Sequence, residues 1–224
     1  MIEPMDICPQ LQQLLLLCLR CGFGMRVSGR SNVPRSGGVI VACNHISNLD
    51  PPVLGSAVPR RVSFMAKSEL FTTRAGEFYL SRLGAFSVNR RRVDTAALRA
   101  ALEVLKAGRA LIVFPEGTRS RDGRMLPLKA GIGLIAARSS VPLVPAFIWG
   151  TQAPAAAMLR SPRFSVAFGS PMAPGALRAL GPREATERIG RSIASLGRGL
   201  RSERHAPEAQ RGGQTADAAT EGTM

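Results

Sequence analysis

The chain has 224 residues, 45% of them hydrophobic and 5% aromatic, enough for one domain whose core is built mostly from Leu, Val, Ile and Ala. Thirty Lys and Arg residues against 15 Asp and Glu give a formal net charge of +15, so an anionic partner is expected: nucleic acid, an anionic membrane surface or phosphorylated ligands. No stretch reaches the ~20 apolar residues that span a bilayer, and the apolar N-terminal run lacks the basic segment and clear cleavage site of a signal peptide.

The first element predicted is a helix over Leu11 to Met25, where Leu11, Leu14, Leu15 and Cys18 recur at i, i+3, i+4 and i+7, followed by Arg20 and Arg26. Such an amphipathic segment either lies in a membrane interface or packs on the core. Cys18 and Cys21 in it form a C-x-x-C, but no second ligand pair or thioredoxin-like context accompanies them. With Cys8 and Cys43 they read as small apolar residues in a reducing cytosol, and no metal site is expected.

Gly37 to Cys43 is an apolar, β-branched run bounded by glycine, a buried strand. Asp50-Pro51-Pro52 reads as an N-cap with proline opening a helix. Arg61 to Lys67 and Ala85 to Arg90 are further strand candidates, with a helix between them from Ser68 to about Gly84. Asp94 can cap the clearest helix, in which Ala97, Leu98, Ala101, Leu102 and Leu105 share a face and Gly108 ends it. Ala110 to Gly117 is a strongly apolar strand stopping at Pro115, and Lys129 to Ser140 a helix. Val141 to Gly150 and Arg163 to Gly169 are two more strands, the first framed by Pro142 and Pro145, which suits an edge or an irregular wall of the sheet. A last helix covers Pro182 to Leu200, and 202–224, almost without large apolar residues, reads as a disordered tail. Strands alternating with helices predict an α/β fold with a mixed, largely parallel sheet flanked by helices. In such sheets sites gather at the carboxyl ends of strands.

Two motifs follow strands. In "NHISNLD", His45 precedes Asp50 by five residues. A neutral imidazole can take a proton from a hydroxyl near pH 7, and a carboxylate improves it by fixing its tautomer. The bland reading is a turn histidine beside a helix-capping Asp50. In "FPEGTRS", Phe114 to Ser120, Glu116 needs a partner or a function just after an apolar strand. Gly117, Thr118 and Arg119 can offer backbone N–H groups, a hydroxyl and a guanidinium to a phosphate; otherwise Glu116 and Arg119 form an ion pair that holds the turn. Arg90 ends a strand beside Arg91 and Arg92.

Together these stretches resemble the glycerophospholipid acyltransferases, specifically the 1-acyl-glycerol-3-phosphate acyltransferases. The resemblance covers about Arg26 to Pro171: N-H-x-S-x-x-D at Asn44, His45, Ser47 and Asp50; G-x-x-x-V-x-R at Gly84, Val88 and Arg90; F-P-E-G-T-R-S complete; and V-P-x-V-P at Val141, Pro142, Val144 and Pro145. The segments around Lys67 and Lys129 also resemble family positions, whereas Asn89 and Ser87 stand where members often have Asp and Pro. The resemblance implies a single acyltransferase domain over 26–201 after a membrane-associating segment at 1–25. It implies transfer of an acyl group from acyl-CoA or acyl-carrier protein, a co-substrate rather than a bound cofactor, to the sn-2 hydroxyl of 1-acyl-glycerol 3-phosphate. His45 would be the base and Asp50 its orienting group. Glu116, Gly117, Thr118 and Arg119 would bind the acceptor, Glu116 by positioning Arg119 or a glycerol hydroxyl, with Arg90 and Lys67 as further phosphate ligands. The implied place is the cytoplasmic face of the membrane, attached peripherally or monotopically. Within the family the acceptor could instead be another lysolipid, such as a lyso-ornithine lipid, or glycerol 3-phosphate.

Other classes find less support. No aromatic platform is interleaved with the arginines, so no specific nucleic-acid partner is expected. A hydrolase using Ser47 would lack a G-x-S-x-G elbow. An acyl intermediate on Cys43 would need that thiol to share a face with His45.

Overall fold

The computed structural model describes residues 9–67, 72, 85–88, 95–153 and 164–205. The strands are β1 (Arg26–Ser28), β2 (Val39–Cys43), β3 (Val62–Lys67), β4 (Ala85–Val88), β5 (Ala110–Val113), β6 (Leu143–Trp149) and β7 (Ser165–Phe168). The helices are α1 (Pro9–Phe23), α2 (Asp50–Ala57), α3 (Thr95–Lys106), α4 (Gly131–Arg138) and α5 (Pro174–His205). The strands form one seven-stranded sheet in the order β1-β7-β6-β2-β5-β3-β4. Every neighbouring pair is parallel except β6 with β7.

β2 lies between β5 and β6 and is buried along its whole length. Its pleat sends alternate side chains to opposite faces. Val39, Val41 and Cys43 join Leu16 and Leu19 of α1 and Val53 and Leu54 of α2. Ile40 and Ala42 join Ala101 and Leu105 of α3, Ile132 of α4 and Ile189 of α5. The sheet is thus covered on both faces, which is why its strands read as continuous apolar runs. β2, β5 and β6 run the same way, so the chain leaves all three at one edge of the sheet.

The predicted mixed, largely parallel α/β sheet is found, with differences of local cause. β1 was not predicted: it has three residues, two of them exposed, and its parallel pairing with β7 makes it a strand. β5 ends at Val113 rather than running on to Pro115 and Gly117. β6 is interior, not an edge, and the wall is irregular there. The Pro145 carbonyl accepts Gly169 N–H at 2.8 Å just where the β7 ladder ends, before a separate bridge joins Leu143 to Met172. The missing N–H of Pro145 therefore falls at a break in pairing.

α5 breaks at Gly181, whose φ of 73° and ψ of 169° leave the helical region. Its second part opens with Pro182, as predicted, but runs on through His205, so the first residues of the expected tail are helical. The predicted helix from Ser68, together with Gly84, Arg90, Asp94 and residues 206–224, lies outside the described residues.

α1 divides between both readings of its apolar stripe. Leu16 and Leu19 enter the core, and the Gln12 side-chain amide donates to the carbonyls of Gly55 (2.5 Å), Val58 (2.9 Å) and Arg60 (3.1 Å), satisfying the open end of α2. Leu14 and Leu17 remain 55% and 58% exposed.

α4 and α5 meet closely at Gly133, where a Cβ would fall onto the Pro182 carbonyl and the Thr186 hydroxyl. Gly133→Ala should therefore destabilise the protein by about 1–3 kcal/mol through overpacking, despite alanine's better helix propensity. The midpoint of denaturant unfolding reads this; an unchanged midpoint would mean that α5 shifts freely.

Candidate active site

The site is built where β2, β5 and β6 end. Beyond Cys43 the main chain leaves the sheet, and the Asn44 side chain continues the pairing in its place. Its amide donates to the Ile148 carbonyl at 3.0 Å and accepts Ile148 N–H at 2.8 Å, which ties the turn to β6. His45 then stacks on Phe114, ring centroids 4.3 Å apart and planes 22° apart. Its Nδ1 lies 2.8 Å from Asp50 Oδ2, and its side chain is 16% exposed.

Asp50 is not the helix cap that the sequence suggests. The capping position is Leu49, with no side-chain bond, and Asp50 is the first residue of α2, its carboxylate turned back into the preceding turn. There Oδ2 accepts Ile46 N–H at 2.6 Å and Ser47 N–H at 2.8 Å in addition to the imidazole. Oδ1 accepts the Thr151 hydroxyl at 2.5 Å. An oxygen already holding two N–H groups is placed to accept a third hydrogen from His45 Nδ1, the tautomer that leaves the lone pair on Nε2.

Glu116, buried at 2% exposure, does not pair with Arg119. Oε1 accepts His45 N–H at 2.9 Å and Oε2 accepts Leu126 N–H at 2.9 Å. The His45 carbonyl in turn accepts Ser120 N–H at 2.8 Å. The loop after β5 therefore grips the peptide of His45 from both sides. Burial pushes the Glu116 carboxyl above its ordinary value; the two backbone N–H groups and His45 oppose the shift.

Arg119 and Thr118 are exposed at the same loop, and Gly117, at φ 70°, lies under the Lys129 side chain. Lys67 ends β3 at the same sheet edge, its backbone level with Val88 of β4, and Arg90 lies outside the described residues. Cys43 is fully buried and its thiol is pushed well up, by burial first and by Asp50 and Glu116 next, which disfavours the thiolate that a nucleophile needs. The Ser47 hydroxyl accepts Leu49 N–H at 3.2 Å rather than facing the imidazole as a nucleophile would. Thr151, the bracing of Asn44 and the role of Leu126 N–H were missed from sequence; the one signal for Thr151 was a threonine two residues past the end of a buried strand.

A family model described as Acyltransferase matches residues 24–149, which hold His45, Asp50 and Glu116. The chain belongs to the acyltransferase family. Within it, the 1-acyl-sn-glycerol-3-phosphate acyltransferase of Bacillus subtilis (strain 168) is 34% identical over 128 residues, 57% of this chain and 63% of that protein. The Borreliella burgdorferi protein of the same description is 30% identical over 132 residues, 58% of this chain and 53% of that one. The chain thus spans less than two thirds of the length of these relatives. The crystal structure of the 1-acyl-sn-glycerophosphate (LPA) acyltransferase, PlsC, from Thermotoga maritima is similar with a TM-score of 0.62 and 28% identity, over 84% of this chain and 80% of that chain. The acyltransferase fold predicted from the motifs is therefore shown.

A carboxyl raised by burial binds its proton more tightly folded than unfolded. Its contribution to stability is complete below the unfolded value and is lost as pH rises through the folded one. Glu116→Gln removes this titration, so the stability of the native chain relative to the variant should fall from roughly pH 4 upward. Turnover of the variant should drop about tenfold or more, because one amide face of Gln opposes a backbone N–H. Unfolding midpoints across pH and initial rates check the two parts; parallel stability curves would place the raised carboxyl elsewhere.

Proposed function

We propose that this acyltransferase moves a fatty acyl group from an acyl thioester to the sn-2 hydroxyl of 1-acyl-glycerol 3-phosphate, giving phosphatidic acid. The observation that carries the proposal is the imidazole with Nδ1 committed to a buried carboxylate and Nε2 left as base at a partly open rim. His45 Nε2 takes the acceptor's hydroxyl proton as that oxygen attacks the thioester carbonyl carbon. The C–S bond then breaks, and the departing thiolate takes the proton from the imidazolium. Acyl-CoA and acyl-carrier protein present the same thioester, and either serves as donor. Arg119, exposed two residues past Gly117, and Lys129, whose side chain lies over Gly117, supply cations for the acceptor's phosphate. Lys67 and Arg90 are proposed as further phosphate ligands.

The names borne by the Bacillus and Borreliella relatives support this choice of acceptor. Purified protein given palmitoyl-CoA and 1-oleoyl-glycerol 3-phosphate should release CoA and form phosphatidate. His45→Ala should lower the rate about 10²–10⁴-fold. Undiminished activity in that variant would overturn the mechanism.

We also propose peripheral attachment to the cytoplasmic face of an anionic membrane, where the acceptor resides. No helix among the described residues is long and apolar enough to cross a membrane. α1 instead leaves Leu14 and Leu17 outward, and Leu49, 37% exposed, does the same within the catalytic turn. The net charge of +15 adds attraction of about 1 kcal/mol for each Lys or Arg near the surface. Because Leu16 and Leu19 belong to the core, removing the segment would damage the fold; Leu14→Ser with Leu17→Ser is the cleaner change. That double variant should bind anionic phosphatidylglycerol vesicles about tenfold or more weakly in sedimentation. Unchanged binding would exclude α1 as the contact.

A further inference from the structure

We infer that Thr151 is a positioning residue for acyl transfer, holding the Asp50 carboxylate in the plane that keeps the His45 proton on Nδ1. The inference rests on His45 acting as the base. Thr151 is fully buried and stands 101 residues from Asp50 in sequence, yet its hydroxyl lies 2.5 Å from Oδ1. The two carboxylate oxygens are unequally served. Oδ2 has three donors, namely the imidazole and the N–H groups of Ile46 and Ser47, all from its own turn. Oδ1 has Thr151. Turning the carboxylate about its Cβ–Cγ bond would move both oxygens, so the Oδ2 donors, all from one turn, restrain the plane only as well as that turn is held. The Thr151 hydroxyl on Oδ1 ties the opposite end of the carboxylate to a different element, and so holds the direction of the lone pair that meets Nδ1.

The placement of Thr151 is itself constrained. β6 pairs with β2 up to Ala146 against Cys43, and both bonds of the Asn44 amide extend that pairing to Ile148. Thr151 follows three residues later, in the turn that leaves β6, so its hydroxyl reaches Asp50 from just past the end of a neighbouring strand. The β-branched side chain has few χ1 choices, which keeps the donor aimed. Thr151 does not touch the reacting atoms; it acts on them through Asp50 and then His45.

The tests are Thr151→Val, which keeps shape and removes the hydroxyl, and Thr151→Ser, which keeps the hydroxyl. The chain has two histidines, so the His45 ring nitrogens can be followed by long-range proton–nitrogen NMR whether or not the protein is turning over. The native protein should show the Nδ1–H tautomer of His45. Thr151→Val should show a mixture, and Thr151→Ser should restore the native signals. In the acyl-transfer assay Thr151→Val should lower kcat about tenfold to a hundredfold with KM for the acceptor within about twofold, and Thr151→Ser should recover most of it. On an Asp50→Asn background the valine change should cost less than about twofold, because the two residues act as one unit. Native His45 signals in Thr151→Val, or equal losses with and without Asp50, would overturn the inference. A native protein that shows the tautomer but forms no phosphatidate would instead count against the proposed substrates and leave the positioning role standing.

Discussion

The buried carboxylate of Asp50 is the constraint around which the site is organised. A charge taken out of water costs several kcal/mol unless hydrogen bonds replace its hydration. Here the replacement comes from two backbone N–H groups, one imidazole and one hydroxyl. Meeting those donors requires the 45–47 stretch to fold back over the start of α2 and the end of β6 to lie beside it. Glu116 repeats the device on the other side of His45, its oxygens on the N–H groups of His45 and Leu126. Among the described residues neither carboxylate pairs with Lys or Arg. Donors other than Lys and Arg therefore replace the hydration of these carboxyl groups, and Arg119 and Lys129 stay exposed.

What could be read from the chain follows from which interactions are local. β2, β3, β6 and β7 are dense apolar runs, and a run needs no knowledge of its partners to be recognised. Three-residue β1 carries no such signal and exists because β7 pairs with it. Asp-Pro-Pro is a strong local mark of a helix start, and the helix does start there. What the mark could not show is that the Asp50 side chain serves donors in front of the helix instead of the helix itself. Likewise Glu116 and Arg119 look like a pair at three residues' spacing. The actual partners of Glu116 are the N–H of His45, 71 residues earlier, and the N–H of Leu126. The identities of His45, Asp50 and Glu116 were legible; the backbone groups and the threonine that hold them were not, because nothing in a sequence marks which amide faces a distant side chain.

α1 shows why a hydrophobic stripe alone left two readings open. One side of the helix completes the core through Leu16 and Leu19 and caps α2 through Gln12; another leaves Leu14 and Leu17 bare. A helix with apolar residues on two sides suits a place between a protein core and a second apolar phase. Exposed leucines there and at Leu49 in the catalytic turn make sense together if the substrate's chains and the helix meet the same lipid.

The turn also bears on what happens to charge during transfer. In the proposed transfer His45 would take a proton, and the cation would form against Asp50 Oδ2 at 2.8 Å, next to a peptide already held by Glu116 and over the face of Phe114 at 4.3 Å. The Asp50 carboxylate and the face of Phe114 already lie against the ring that would carry this charge. None has to move, since Asp50 is fixed by its own donors and the His45 peptide is gripped at both its N–H and its carbonyl. An environment already arranged for a charge that exists only in mid-reaction lowers the barrier without reorganising at that moment. The extended hydrogen bonding around this turn thus serves a fold that buries two carboxyl groups and suits the proposed reaction, which would briefly make a cation beside them.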